Sequence, residues 1–248
     1  MDCPCYGKGI MSGLRRFFVD VVDDVTEVCG EEYSHAVNTL RCKKGDEIIL
    51  CDNSGYDYVC EITDVLKKSF IVSVRDKIYN ETETDEYVVL ICGFLKGDKT
   101  EYVVQKAVEL GVKDIVVFSS EFSSAYMSDN KLARLNKVSI EAAKQCGRSI
   151  APRVVYRENF SEAIKLGEKC KNRLFAYENV ANYTTHISRI SGSSAVVVGS
   201  EGGFSQREVD EAFSQGYQII TLGKRVLRAD TAAICAVSLI MYELGELK

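Results

Sequence analysis

Residues 195–208 read AVVVGSEGGFSQRE. An apolar run, Ala195–Val198, meets three glycines (Gly199, Gly202, Gly203), and Ser205 stands three residues before Glu208. The run predicts a strand. Ser205 and Glu208 have the spacing of a capping box and predict a helix start. Strand, glycine loop and helix in that order are the unit of an α/β sheet, whose ligands bind beyond the carboxyl ends of the strands. Glycines there let a backbone approach a ligand closely. A tight turn without a ligand would use the same residues, so the loop alone leaves both readings open. It is neither G-x-G-x-x-G nor a phosphate loop, because no Gly-Lys-Ser/Thr follows.

The same rhythm extends outward. Tyr87–Phe94 is a nearly continuous apolar run, as a strand covered on both faces should be. Val103, Val104, Ala107, Val108 and Leu110 follow at helical spacing, and Gly111 sits where a C-cap glycine belongs. Further strands are expected at Asp114–Phe118, Val154–Tyr156, Arg173–Tyr177 and Gln218–Thr221. Helices are expected at Lys131–Cys146, from Asn159 (with Glu162 three later), at Ser205–Gln215 and at Thr231–Leu244. Alternation of this kind predicts a mostly parallel sheet. Upstream the pattern differs. Glu47–Asp52, Tyr58–Asp64 and Ser69–Arg75 read as short strands, with Asn53-Ser54-Gly55 as a turn, and a small antiparallel barrel fits. Asn80–Glu86 has no apolar period and reads as a linker. The expected organisation is a disordered extension over 1–13, a barrel over 14–82 and an α/β domain over 86–248.

Composition bounds the function. The chain has 248 residues, 46% hydrophobic and 27% charged, enough for a core without staples. Its ten cysteines contain no C-x-x-C pair, and several lie in apolar runs. They read as buried, reduced thiols of a cytoplasmic protein rather than zinc ligands or disulfides. No early stretch has the form of a signal peptide, and Ala232–Tyr242 is too short to span a bilayer. Net charge is −5, but residues 1–85 hold 10 Lys/Arg against 17 Asp/Glu and residues 86–248 hold the other 21 against 19. Residues 130–157 carry seven basic side chains and one acid, Glu141. Such a patch suits phosphate or is only a solvated face.

A second loop follows another strand: Leu222-Gly223-Lys224-Arg225-Val226-Leu227-Arg228-Ala229-Asp230-Thr231-Ala232. Asp230 or Thr231 is the expected N-cap of the last helix, which is apolar almost all round and so is buried in the fold or against a second subunit. A cation near a helix N-terminus opposes the helix dipole. Arg228 therefore points to a bound anion or RNA phosphate, or it pairs with Asp230 or Glu201.

Together the two loops resemble the "GPEGGFS..E" and "LG.RILR.ETA" signatures of the bacterial 16S rRNA uridine-N3 methyltransferases, small-subunit methyltransferase E, of the knotted SPOUT superfamily. Residues 105–112 (QKAVELGV) resemble the family's "QKATELGV". Glu141-Ala142-Ala143-Lys144-Gln145 with Arg148 and Pro152 resembles "EAAEQ..R...P". Arg16–Val19 resembles its opening strand, and His35 to Arg41 with Gly45-Asp46 resembles its "H…LR..GD". The resemblance runs from about residue 14 to 245. Ser200 replaces the usual proline, Ala229-Asp230 the usual Thr/Ser-Glu, and Phe122 the usual arginine.

The resemblance implies a SPOUT-type parallel sheet with a C-terminal trefoil knot, preceded by a PUA-like RNA-binding barrel. It implies a homodimer and S-adenosylmethionine held by Gly199, Ser200, Glu201, Gly202, Gly203, Leu222, Gly223, Val226, Leu227 and Arg228. The substrate would be a uridine of 16S rRNA or the small ribosomal subunit. Arg228 would stabilise charge as N3 loses its proton, and Glu201 would act as base or orienter. RNA contact is expected from Arg15, Arg16, Lys106, Lys144 and Arg148; if the Lys131–Cys146 helix extends to Arg148, then Lys137, Lys144 and Arg148 share a face. His35 is expected to pack or hydrogen-bond in the barrel, and His186 to lie in a polar loop. No metal site is expected, since neither histidine has a partner at ligand spacing. Methylation of another RNA position, or RNA binding without catalysis, are the rival readings.

Overall fold

The computed structural model describes residues 13–123, 127–178, 187 and 190–247. The disordered extension expected over 1–13 falls outside them except for Gly13, and His186 falls outside them too. The chain divides into two units, one of residues 1–83 and 143–150, the other of residues 84–142 and 151–248.

The first unit contains β1 (Arg15–Phe18), β2 (Val25–Cys29), α1 (Gly30–Tyr33) running into a π-helical turn (Ser34–Thr39), β3 (Glu47–Cys51), β4 (Tyr56–Val65) and β5 (Ser69–Tyr79). The strand order is β1-β3-β4-β5-β2. The sheet is mixed rather than antiparallel as expected, because β1 runs parallel to β3. A parallel neighbour needs a crossover, and β2 with the helical segment supplies it. Alternation is clear in β2, where Thr26 and Val28 point inward between exposed neighbours. Phe17, Val28, Ile48, Leu50, Ile62, Phe70 and Val72 fill the core. His35 lies edge-on to Phe17 at 6.1 Å between ring centroids.

Two buried ion pairs anchor this unit. Arg16 and Asp57 form one, with Nη2–Oδ2 at 2.9 Å; Asp57 also accepts from Asn80 Nδ2 at 3.0 Å. Arg148 and Glu83 form the other at 2.9 Å, and the second Glu83 oxygen accepts from the Ser149 and Ile150 amides. Asn80–Glu83 is thus a tethered segment rather than a loose linker. Its polarity, which removes any apolar period, comes from groups that fold inward to partners.

The second unit contains β6 (Val88–Gly93), α2 (Lys99–Glu109), β7 (Asp114–Phe118), α3 (Asp129–Cys146, whose last four residues join the first unit), β8 (Arg153–Arg157), α4 (Phe160–Ile164), β9 (Asn172–Ala176), β10 (Ser194–Val198), α5 (Gln206–Ser214), β11 (Gln218–Ile220) and α6 (Ala229–Leu244). Its strand order is β11-β9-β10-β6-β7-β8, with every neighbouring pair parallel. Strands β6 and β10 are buried at every residue, which explains their unbroken apolar runs. Phe118, Phe160, Phe175 and Phe204 form one aromatic cluster, with Phe175 and Phe204 centroids 4.3 Å apart. The chain steps outward from β6 to β7 and β8, then crosses to β9. The sheet therefore reverses direction between β6 and β10, where α/β sheets open a crevice at their carboxyl edge.

Among the described residues no helix is long and apolar enough to cross a membrane, and no group of His, Cys, Asp and Glu could hold a metal ion. Eight described cysteines are free thiols. Burial pushes the Cys60 thiol up to about 11 and that of Cys92 up to about 12, so they are poor nucleophiles.

Candidate active site

The glycine loop is built by its neighbours. Ser205 caps α5 and Glu208 closes the box, accepting from the Ser205 amide at 2.8 Å. The other Glu208 oxygen accepts from the Glu121 amide at 3.1 Å, which ties the loop after β7 to the same helix start. Ser200 Oγ and Ser120 Oγ are 2.9 Å apart in a buried contact. The Gly203 amide donates to Ser200 O at 3.0 Å, a turn for which Gly203 takes φ +69. Phe204 then turns down into the aromatic cluster, fastening the loop to the core.

Two close approaches make glycine obligatory. A Cβ at Gly93, the end of β6, would overlap the Ser200 amide nitrogen and lie 2.9 Å from the Gly199 carbonyl carbon. A Cβ at Gly202 would lie 2.7 Å from Phe122 Cβ and 2.9 Å from Phe122 O. Gly93 was not singled out by the motifs; its signal is a glycine ending an otherwise apolar strand. Gly93→Ala is expected to cost about 1–3 kcal/mol, the scale of overpacking, and to weaken ligand binding at the loop. A thermal melt with a ligand titration checks this; unchanged values in both would show that the loop is not braced at this point.

Glu201 sits at the exposed corner of the turn. It pairs with Lys99 at 2.9 Å and accepts from the Lys96 amide at 3.2 Å. Burial pushes its carboxyl up, but the Lys99 hydrogen bond, the backbone donors and the Lys99 charge together hold it below the usual carboxylate range. Lowered proton affinity makes it a poorer base and a better fixed anion. Lys99 is a further residue that the motifs did not mark.

The second loop leaves the carboxyl end of β11. Gly223, Lys224, Arg225, Val226 and Arg228 are exposed, and Leu222 and Leu227 are half-buried. The amides of Leu222 through Leu227 donate to no other described residue. Arg228 itself, and neither Asp230 nor Thr231, is the N-cap of α6, and its side chain makes no capping bond. The helix begins early because Ala229 and Asp230 already take helical form and the Asp230 carboxylate binds the neighbouring Thr231 amide at 2.9 Å. Arg228 pairs with neither Asp230 nor Glu201, and among the described residues its guanidinium has no partner.

The expected RNA contacts fare differently. Arg16 and Arg148 are buried in their ion pairs, and Lys144 is nearly buried against Glu32 at 2.8 Å. The structure turns these three inward because each finds a carboxylate within its own unit. Arg148 also lies beyond the end of α3, so it shares no helical face with Lys137. Arg15 is exposed with Nη1 on Cys42 Sγ at 3.1 Å, and Lys106 pairs with Glu109 at 2.7 Å.

The sequence matches the RNA methyltransferase domain family over residues 82–241 and the RNA methyltransferase PUA domain family over residues 28–75. Ribosomal RNA small subunit methyltransferase E of Bacillus subtilis is 30% identical, over 93% of this chain and 97% of the relative. The chain belongs to the ribosomal RNA small subunit methyltransferase E family. The Mesomycoplasma hyopneumoniae member is 29% identical over 89% of this chain and 96% of its own. The Neisseria gonorrhoeae member, solved bound to S-adenosyl methionine, superposes with a TM-score of 0.82 at 27% identity, covering 93% of this chain and 98% of its own. Membership makes the protein an α/β RNA methyltransferase with a PUA-like first domain.

Proposed function

We propose that the protein methylates N3 of a uridine in 16S rRNA of the small ribosomal subunit, using S-adenosylmethionine. The observation that carries this reading is a braced glycine loop at the sheet's reversal, together with a second loop whose amides and closing arginine have no partner among the described residues. The residues fit the cofactor. Gly199–Gly203 offer backbone without side-chain bulk, and Leu222, Val226 and Leu227 offer apolar contact beside open amides, the combination an adenosine requires.

S-adenosylmethionine supplies the methyl group. Uridine N3 carries a proton at neutral pH, and its loss leaves negative charge on the base's carbonyl oxygens. Arg228, which pairs with no carboxylate among the described residues, is the cation that would stabilise that charge. Glu201 orients Lys99 and fixes the corner of the loop. Holding donor and acceptor in line supplies much of the remaining rate gain. SPOUT-type threading of the last segment would bring the two loops together. The half-exposed face of α6, with Leu239 at 42% and Tyr242 at 53% exposure, suits a homodimer contact. A cytoplasmic setting accords with the free thiols and an rRNA substrate.

Incubation with labelled S-adenosylmethionine and unmethylated small subunits, followed by nucleoside mass spectrometry, tests the reading. The expected product is 3-methyluridine at one site; a 2′-O-methylated or other methylated nucleoside would overturn it. Phosphate contacts fall to exposed cations, among them Arg15, Lys224 and Arg225. Subunit binding should therefore weaken steeply with salt, by about tenfold or more between 50 and 200 mM. A flat salt response would remove those cations from the interface.

A further inference from the structure

We propose that Phe122 is a stacking platform for an unpaired RNA base beside the reacting uridine. Single exposed apolar side chains are ordinary, so the setting decides. Phe122 is 54% exposed, and among the described residues its ring touches no other aromatic. It stands at the tip of a turn that is held from several sides. The Ser123 amide donates to Ser120 O at 2.9 Å, and the Ser120 amide donates to Ser123 Oγ at 2.9 Å. Ser120 Oγ meets Ser200 Oγ, and the Glu121 amide binds Glu208. The Phe122 backbone lies directly on Gly202. The backbone beneath a large exposed ring is therefore fixed at the rim of the glycine loop, and a fixed backbone lowers the entropy lost on binding. Next to it Arg207, 78% exposed, sits on Glu121 and offers a guanidinium to a phosphate. An aromatic face with a cation at its edge is the composition of single-stranded nucleic-acid sites.

Sheet order separates the root of this turn from the root of the second loop. Strand β7 stands four positions from β11. At about 4.8 Å per strand, the roots of the two loops are roughly 19 Å apart. The exposed ring is therefore offered to RNA at the glycine-loop end of the site, away from the second loop.

The inference rests on the proposed rRNA methylation, and its test separates the two. Phe122→Ala keeps the Cβ that Gly202 meets and every hydrogen bond of the turn, removing only the ring. Kinetics on unmethylated small subunits and direct titration of S-adenosylmethionine are compared for Phe122→Ala, Phe122→Leu and Phe122→Trp. The KM for subunits should rise between about fivefold and one-hundred-fold in the alanine and leucine variants, the range seen when one stacked aromatic is removed. The tryptophan variant should match the native enzyme, with kcat and cofactor affinity unchanged throughout. An unchanged KM in Phe122→Ala, full function in Phe122→Leu, or a parallel loss of cofactor affinity each overturns the platform. Absence of methylation by the native protein would instead overturn the reading beneath it.

Discussion

Arg228→Ala should lower turnover on small subunits about 10²- to 10³-fold, the usual loss when one preorganised donor to a developing anion is removed. S-adenosylmethionine binding should change little, because the proposed cofactor site is built of backbone that the substitution leaves in place. Arg228 begins α6 with no anionic partner among the described residues, an arrangement that works against the helix dipole. Stability should therefore hold or rise slightly in the variant. Single-turnover rates with cofactor titration and a thermal melt separate these effects. Equal losses in turnover and cofactor affinity would move Arg228 from transition-state stabilisation to cofactor binding.

Asp57→Ala should be the most damaging single change to the first unit. Arg16 and Asp57 are buried together, side chains 8% and 2% exposed, and Asp57 also satisfies Asn80. Removing one partner of such a pair leaves a buried charge and costs about 3–5 kcal/mol, against a typical total of about 5–15 kcal/mol. Joint replacement by Arg16→Met and Asp57→Leu should recover most of the loss, since well-packed apolar groups often match a buried ion pair. Urea unfolding of the three proteins decides it. A loss below about 1 kcal/mol in Asp57→Ala would mean that water reaches Arg16 and the pair behaves like a surface one.

These two sites show what the sequence made legible. The parallel strands were readable because β6 and β10 are covered on both faces and leave unbroken apolar runs. The start of α5 was readable because Ser205 and Glu208 satisfy each other within four residues. Partners distant in sequence were not readable. Arg16 and Asp57 are 41 residues apart, and Arg148 and Glu83 are 65 apart. A basic residue counted by type therefore gave no sign of the carboxylate that holds it inside the fold. Gly93 was hidden for the same reason, since its need for a bare Cα comes from Ser200 across the sheet. The parallel pairing of β1 with β3 rests on a crossover that local patterns do not encode.

The ties between Asn80–Glu83 and residues 147–150 make the first unit discontinuous along the chain. On a translating ribosome, Glu83 is made 67 residues before Ile150. At about 5–20 residues per second, that gap lasts roughly 3–13 s. Throughout it the nascent sheet keeps a carboxylate and an amide waiting for segments not yet synthesised. The amino-terminal part of this enzyme completes its fold only after more than a third of the second unit has been made, so its maturation is timed by a segment inserted in that unit's sequence.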